Sequence, residues 1–160
     1  MALLEGYAGP TVRPLGPAFD GPAAEILVDA FFERSVERAR EIVADARANP
    51  DSALHGLFVG GELQAVYILD KRGLANDISY LAVADGHRRQ GHGRMCLHDA
   101  LLRSGRRPIT LQTLESELPF YKKVGFKLVS RRKDEHGRTV YRLSWHAPTP
   151  KAPGSTELIC

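Results

Sequence analysis

The sequence is poor in cysteine, with only Cys96 and Cys160 in 160 residues. Two cysteines separated this widely form neither a disulfide framework nor the spacing of a zinc site. The six histidines do not complete a metal site either, because no pair of them has ligand spacing with a further partner. We therefore expect a protein without a metal, in which Cys96 is a small core residue.

Long apolar runs are also absent. No stretch reaches the roughly 18 to 20 apolar residues of a membrane helix, and the first residues lack the charged start and apolar centre of a signal peptide. These absences indicate a cytoplasmic protein without a membrane partner. The formal net charge of +3 is small, so nucleic-acid binding is permitted but not expected.

What the chain does contain is enough apolar side chain for one domain. Its 43% hydrophobic residues over a length of 160 can supply a core of ordinary size. We expect a single domain over residues 1–147. Three prolines among few apolar residues then predict a flexible tail over 148–160.

Apolar periodicity predicts an α/β chain with the element order β-α-α-β-β-β-α-β-α-β-β. A strand at 11–15 is followed by a helix that begins near 20–22 and by a second helical stretch that stops at 49–50. The remaining strands are expected at 57–59, 63–69, 78–83, 109–113, 126–131 and 139–145, with turns at 60–61, 70–73 and 133–137.

The most informative segment is 88–94, which reads Arg-Arg-Gln-Gly-His-Gly-Arg between a predicted strand and a predicted helix. Gly91 and Gly93 let the backbone approach a ligand, and the helix behind them directs its N–H groups and positive dipole end toward an anion. The segment therefore predicts a pyrophosphate-binding loop, although two nearby glycines also fit an ordinary turn. We expect His92 to offer its backbone N–H while its side chain faces solvent. Positive charge at the rim comes from Arg88, Arg89 and Arg94.

The arginine-x-x-glycine-x-glycine pattern of 88–93 resembles the acetyl-CoA signature of the GNAT family of N-acetyltransferases. Residues 118–126, Leu-Pro-Phe-Tyr-Lys-Lys-Val-Gly-Phe, resemble the short helix that carries this family's Phe-Tyr pair. The distance between the two motifs leaves room for one helix and one strand, as the family's topology requires. The resemblance covers 57–145 and implies the GNAT acyl-CoA N-acyltransferase fold, a mixed sheet of six to seven strands with about four helices, splayed at its central strands.

The resemblance also implies acetyl-CoA as the cosubstrate. In this family the pantetheine arm lies in the splayed gap like an added strand, bound by the backbone at positions that match Leu81 and Val83. A backbone N–H of the same strand polarises the acetyl carbonyl. Plain core packing of Leu81 and Val83 is compatible with this role, because packing uses the side chains. The implied cofactor-binding residues are Leu81, Ala82, Val83, Arg88, Arg89, Gln90, Gly91, His92, Gly93 and Arg94.

Tyr121 matches the family's general acid, which protonates the departing CoA thiolate. A phenol is protonated at neutral pH, and its pKa lies near that of a thiol. The general base stays open between Asp77 and Glu117, with Glu115 and Tyr80 as further candidates. The asparagine that many members carry before the tyrosine has no counterpart at 114–117, where Ser116 or the preceding Thr113 could substitute.

The predicted function is direct transfer of an acetyl group from acetyl-CoA to a primary amine, with a small molecule as the leading acceptor. A peptide or protein amine and an aminoacyl-tRNA are alternatives, as is a domain that senses acetyl-CoA without catalysis. The chain is expected to act as a monomer or homodimer, and Leu158 with Ile159 could dock on a partner subunit. Aromatic and acidic residues expected at the acceptor side are Phe31, Phe32, Tyr67, Glu33, Glu37 and Asp77.

Overall fold

The computed structural model describes residues 9–30, 34–86 and 91–148. Within these residues the element order is the predicted one, which is thereby confirmed. The strands are β1 (Thr11–Pro14), β2 (Ser52–Val59), β3 (Glu62–Arg72), β4 (Ala75–Val83), β5 (Ile109–Leu114), β6 (Lys127–Lys133) and β7 (Thr139–Trp145). The helices are α1 (Asp20–Leu27), α2 (Val36–Ala48), α3 (His92–Ser104) and α4 (Leu118–Val124).

All seven strands form one mixed sheet in the order β1-β2-β3-β4-β5-β7-β6. The only parallel pair in this sheet is β4 with β5, and every other neighbouring pair is antiparallel. A parallel pair needs a crossover connection, which α3 supplies between β4 and β5. The predicted fold class, a mixed sheet of six to seven strands with about four helices, is confirmed.

The sheet opens between its two central strands. β4 pairs with β5 at only three positions, of which Ile78 opposite Leu111 is the last. The register of β4 against β3 slips at the next residue, which leaves Ser79 as a bulge. Beyond it, β4 pairs only with β3 and β5 pairs only with β7. We call the resulting gap the β4–β5 cleft, and it confirms the splay predicted at the central strands.

The two faces of the sheet carry separate apolar clusters. One cluster joins α1 and α2 to β2, β3 and β4, and includes Leu27, Val43 and Ile68. The other joins α3 and α4 to the opposite face and includes Leu97 and Leu143. Each fully buried side chain of this size stabilises the fold by roughly 1.5–3 kcal/mol. The β4–β5 cleft therefore lies in a sheet that is held from both sides.

Several strands extend beyond their predicted bounds, among them β4, which begins at Ala75 rather than at 78. β2 begins at Ser52 rather than at 57, and β3 runs through the turn expected at 70–73 as far as Arg72. The expected turn was wrong because the polar side chain of Asp70 is satisfied within the sheet, where it accepts a hydrogen bond from Ser52. The chain reverses at Gly73, where φ is +60°.

Several predicted features fall outside the described residues. These are the binding residues Arg88, Arg89 and Gln90, the acceptor-side residues Phe31, Phe32 and Glu33, Cys160, and nearly all of the predicted tail. In the described part of the chain, no helix is both long and apolar enough to cross a membrane.

Candidate active site

The start of α3 is built as an anion-binding helix terminus. Gly91 is the N-cap and takes φ = +82°, a left-handed conformation that glycine adopts without steric cost. The first bond inside the helix runs from the N–H of Met95 to the C=O of Gly91 at 3.0 Å, so the N–H groups of the turn before it have no helical acceptor. No described side chain caps this turn. These N–H groups and the helix dipole together favour an anion.

His92 does not face solvent, so that prediction was wrong. Its side chain is only 6% exposed. The reason is helix phase, because positions four apart share a face and His92 continues the buried row of Cys96 and Ala100. Cys96 is fully buried, as predicted, and burial raises the pKa of its thiol to about 12. A thiol in that state is a poor nucleophile.

The backbone of β4 presents hydrogen-bonding groups to the cleft. The N–H of Ala84 bonds the C=O of Gln64 on β3 at 2.7 Å. Because successive residues of a strand direct their backbone groups to opposite sides, Leu81 and Val83 direct theirs away from β3 and toward the cleft. Their side chains pack against the α3-side cluster at the same time. Packing and ligand binding are therefore compatible at these two residues.

Gly93 brings the two sequence motifs together. A Cβ built at this position lies 3.8 Å from Cγ2 of Val83 and 3.9 Å from Cζ of Phe120. The start of α3, the cleft-facing part of β4 and the α4 helix with its Phe-Tyr pair thus meet at one point. A side chain larger than alanine at position 93 has to displace one of these neighbours.

Tyr121 lies half-buried on α4, between two aromatic rings. Its ring makes edge contacts with Phe120 at 5.0 Å and with Phe126 at 5.8 Å between centroids. Burial, and to a smaller extent the carboxylate of Glu117, raise the pKa of Tyr121 to about 12. The phenol is therefore protonated across the physiological range, but it is a weaker acid than the predicted match with a thiol requires.

Asp77 lies on the other face of the sheet from Tyr121. Its neighbour Ile78 belongs to the α3-side cluster, so the alternation of β4 directs Asp77 toward the face that α1 and α2 cover. Asp77 is 7% exposed and accepts a hydrogen bond from Oγ1 of Thr110 at 2.6 Å. Nε of Arg72 lies 3.8 Å from this carboxylate.

The other candidate bases lie in different parts of the structure from Asp77. Glu117 is exposed at the start of α4, on the side of Tyr121, as the effect of its charge on the phenol shows. Glu115 and Ser116 are exposed as well, while Thr113 is half-buried in the part of β5 that has left β4. Tyr80 is half-buried, just past the bulge of β4.

Sequence reasoning missed Asp70. Its carboxylate accepts hydrogen bonds from Ser52 and from the bulged Ser79, whose hydroxyl also lies 3.5 Å from Asp77. The sequence signal that could have placed Asp70 on this face of the sheet was the period-two alternation of β3, which continues from Ile68 to Asp70.

A cavity of about 220 Å³ lies between α2 and this face of the sheet. We call it the α2 cavity. Ser79 and Tyr80, the first β4 residues past the last pair with β5, line it, so it adjoins the β4–β5 cleft. The walls of the α2 cavity include Ile42, Asp45, Ile68, Asp70, Ser79 and Tyr80. Among the described residues, no group of three or more His, Cys, Asp or Glu is placed to hold a metal ion.

Comparison with known proteins agrees with this geometry. The family model of the acetyltransferase (GNAT) domain matches residues 36–128. Among curated protein sequences, none matches the chain significantly.

Solved structures match the fold over most of the chain. An aminoglycoside 6'-N-acetyltransferase complexed with coenzyme A has a TM-score of 0.76 at 15% identity, covering 88% of this chain and 99% of its own. The ribosomal-protein-S18-alanine N-acetyltransferase of Escherichia coli has 0.72 at 20% identity, covering 89% and 97%. A GNAT acetyltransferase of Elizabethkingia anophelis with acetyl-CoA bound has 0.70 at 18% identity, covering 88% and 100%. With its family model matched over more than half its length, this chain belongs to the GNAT family of acetyltransferases, whose acetyl donor is acetyl-CoA.

Proposed function

We propose that this enzyme transfers the acetyl group of acetyl-CoA directly to a primary amine of a small molecule, with Tyr121 protonating the CoA thiolate. The observation that carries the proposal is the convergence at Gly93. There the uncapped start of α3 lies next to the side chains of Val83 on β4 and Phe120 on the helix of Tyr121, both within 4 Å of a Cβ built at position 93.

The residues present fit acetyl-CoA. The N–H groups of 91–94 hold the pyrophosphate, and Arg88, Arg89 and Gln90, which precede them in the sequence and lie outside the described residues, complete the proposed binding set. The backbone groups of Leu81 and Val83 bind the pantetheine amides, as an added strand would. Ala82 between them packs its side chain on the α2 side. One backbone N–H of this strand polarises the acetyl carbonyl.

Acetyl-CoA supplies the acetyl group as a thioester, whose carbonyl carbon is attacked by the acceptor nitrogen. Tyr121 donates a hydrogen bond to the sulfur as negative charge develops there. Because the pKa of this phenol is raised to about 12, the proton leaves Tyr121 late, once the sulfur carries most of the charge. The surrounding rings of Phe120 and Phe126 limit access of water to this donor.

Asp77 is the general base of this proposal. It does not itself line the α2 cavity, but the hydroxyl of Ser79, which lines the cavity at the mouth of the cleft, lies 3.5 Å from its carboxylate. The amine loses its proton to Asp77 as its C–N bond forms and the C–S bond breaks, and the sulfur takes a proton from Tyr121, which regains one from solvent. Glu117 acts on the other side, where its charge keeps the phenol protonated.

A small acceptor is favoured because the α2 cavity is a bounded space of about 220 Å³ next to the cleft. Solved relatives of the fold act on both kinds of acceptor, as the aminoglycoside and ribosomal-protein enzymes show by their names. The fold itself therefore does not select between a small molecule, a protein amine or an aminoacyl-tRNA.

Replacing Tyr121 by Phe tests the acid. The variant keeps the aromatic contacts, so it should bind acetyl-CoA as the wild type does while kcat falls by about a hundredfold or more. Steady-state turnover and calorimetric binding measure the two quantities. Tyr141→Phe, a buried tyrosine of β7, is the matched control.

An unchanged kcat in Tyr121→Phe would remove Tyr121 as the acid. Wild-type protein that binds acetyl-CoA but acetylates no amine would instead support the domain that senses acetyl-CoA without catalysis.

A further inference from the structure

The lining of the α2 cavity combines a few apolar side chains with two carboxylates. Ile42 and Ala46 contribute apolar surface from the helix, and Ile68 with the ring of Tyr80 contributes it from the sheet. These side chains give a run of methylene groups a surface to lie on, while the rest of the lining is polar.

One carboxylate comes from each wall. Asp45 on α2 is exposed, and among the described residues no side chain bonds it. Asp70 on β3 is hydrogen-bonded by hydroxyls, and its nearest described cation is Arg72, whose Nη2 lies 3.6 Å away on a side chain that is 61% exposed. Neither carboxylate has a buried cation as its partner.

The one basic side chain of the cavity wall is already engaged. Nη1 of Arg38 donates to Oε2 of Glu41 at 3.2 Å, one turn along the exposed face of α2. Arg72 beside Asp70 is also on an exposed side chain, where water screens its charge, so both carboxylates still act on whatever enters the cavity. Because a cation between them is attracted by both, the cavity selects for positive charge at more than one point.

We propose that the acceptor is an alkyl diamine or longer polyamine, a small amine that carries a second ammonium group beyond a run of methylene groups. The inference rests on the proposed function and names its substrate class. Asp70 receives the nitrogen that is acetylated, because it bonds Ser79 at the mouth of the cleft. Asp45 binds the distal ammonium, and the methylenes lie on Ile42 and Ile68.

Asp70 is a binding residue in this scheme and Asp77 remains the base. A primary amine enters as an ammonium ion, which Asp70 attracts. The hydroxyl of Ser79 lies between the two carboxylates, hydrogen-bonded to Asp70 and 3.5 Å from Asp77, so the proton has a short route to the base. This first proton passes through Ser79 and Asp77 to solvent, which leaves the neutral amine. The acetyl transfer is then the step described above, in which Asp77 takes the second proton as the C–N bond forms.

The test compares three acceptors of equal length: 1,4-diaminobutane, n-butylamine and 4-aminobutanoate. With saturating acetyl-CoA, release of free CoA thiol reports kcat/KM for each. We expect the diamine to exceed butylamine by about tenfold, since a charge-assisted contact has about that effect, and the aminobutanoate to be poorest. Asp45→Asn should lower kcat/KM for the diamine more than for butylamine and so remove most of the advantage of the diamine, and Asp70→Asn should slow both amines.

Glu25→Gln is the matched control, because Glu25 is an exposed carboxylate on the neighbouring α1 that does not line the cavity. Equal rates for diamine and butylamine, or an unchanged ratio in Asp45→Asn, would overturn the inference and leave amine acetylation standing. A preference for 4-aminobutanoate would overturn it in favour of an acceptor whose carboxylate binds Arg38. Acetylation of none of the three, by protein that binds acetyl-CoA, would count against the proposed function as well.

Discussion

At the scale of single residues, the two carboxylates proposed as bases have different surroundings and therefore different expected effects. Asp77 is buried beside the α2 cavity, whereas Glu117 is exposed on the helix of Tyr121. Burial raises the pKa of Tyr121, and the negative charge of Glu117 raises it further. In the proposed reaction, a carboxylate at the position of Glu117 therefore acts on the acid Tyr121 rather than on the acceptor amine.

Asp77→Asn should lower kcat/KM at pH 7 by about a hundredfold, because an amide cannot accept the amine proton while it still accepts the hydrogen bond of Thr110. The loss should shrink toward high pH, where the amine is already neutral. Glu117→Gln should keep most of the rate at pH 7 and move the alkaline limb of the profile to lower pH, since removal of its charge lowers the pKa of Tyr121. Profiles of kcat/KM against pH measure both effects.

The opposite outcome reverses the roles. If Glu117→Gln loses the rate and Asp77→Asn retains it, the base lies on α4 and the acceptor approaches from that side. The single residues that sequence reasoning missed have different causes. The burial of His92 follows from helix phase and the face of Asp70 from strand alternation, both of which are local patterns, whereas the hydrogen-bond partners of Asp70 lie on other strands and have no local pattern.

At the scale of elements, α3 is attached to the sheet by a polar network at its outer end. The hydroxyl of Tyr67 on β3 donates to Oδ2 of Asp99 at 2.5 Å, and Nε of Arg103 donates to the same oxygen at 2.6 Å. His55 on β2 stacks on Tyr67 with ring centroids 4.8 Å apart. This network near the C-terminal end of α3 therefore packs against a buried histidine that titrates.

Burial, together with the charge of Arg103, lowers the pKa of His55 to about 4. Because the folded pKa lies below the unfolded value of 6.5, this contribution to stability is full above pH 6.5 and is lost as pH falls toward 4. The loss amounts to about 3 kcal/mol for His55 alone. His55→Phe keeps the stack on Tyr67 and removes the titration.

Urea unfolding at pH 7 and pH 4 measures the difference. The wild type should lose about 3 kcal/mol more free energy of unfolding between these pH values than His55→Phe does, since the remaining titrating groups are common to both. An equal loss in the two proteins would show that His55 is not the group that sets acid stability.

The order and type of the elements could be predicted from sequence, and the ends of several strands could not. Periodicity identified the hairpin at Gly60 and Gly61, whose positive φ angles match the turn that it predicted. The bounds of β2 and β3 failed because Ser52 and Asp70 satisfy each other across the ladder, so residues typical of a turn remain in strand. Such pairing is long-range and has no local signature.

At the scale of the whole molecule, the proposed donor and acceptor sites lie on the two faces of the sheet. Helices α3 and α4 carry the proposed anion-binding terminus and Tyr121 on one face, while α2 and the bulged side of β4 carry the α2 cavity and, beside it, Asp77 on the other. The β4–β5 cleft lies between them. In the proposed reaction the donor and the acceptor therefore enter from opposite sides and meet at the bulge.

The sequence motifs predicted the donor half of this arrangement, because a glycine pair before a helix has a local physical meaning. The proposed acceptor half could not be predicted from the sequence, because the α2 cavity is formed by α2 and three different strands. Its lining residues are dispersed in the chain and carry no motif.

The central claim is that the start of α3 and the β4–β5 cleft bind acetyl-CoA, and calorimetric titration of the purified protein with acetyl-CoA tests it most directly. We expect saturable binding in the micromolar range that Gly91→Glu abolishes, since a carboxylate there repels the pyrophosphate and the residue strains the left-handed N-cap. Gly73→Glu is the matched control, with a positive φ and open space at the opposite end of β4, and it should bind normally. Circular dichroism confirms that each variant is folded. Absence of binding by folded wild type, or equal binding by Gly91→Glu, would contradict the account.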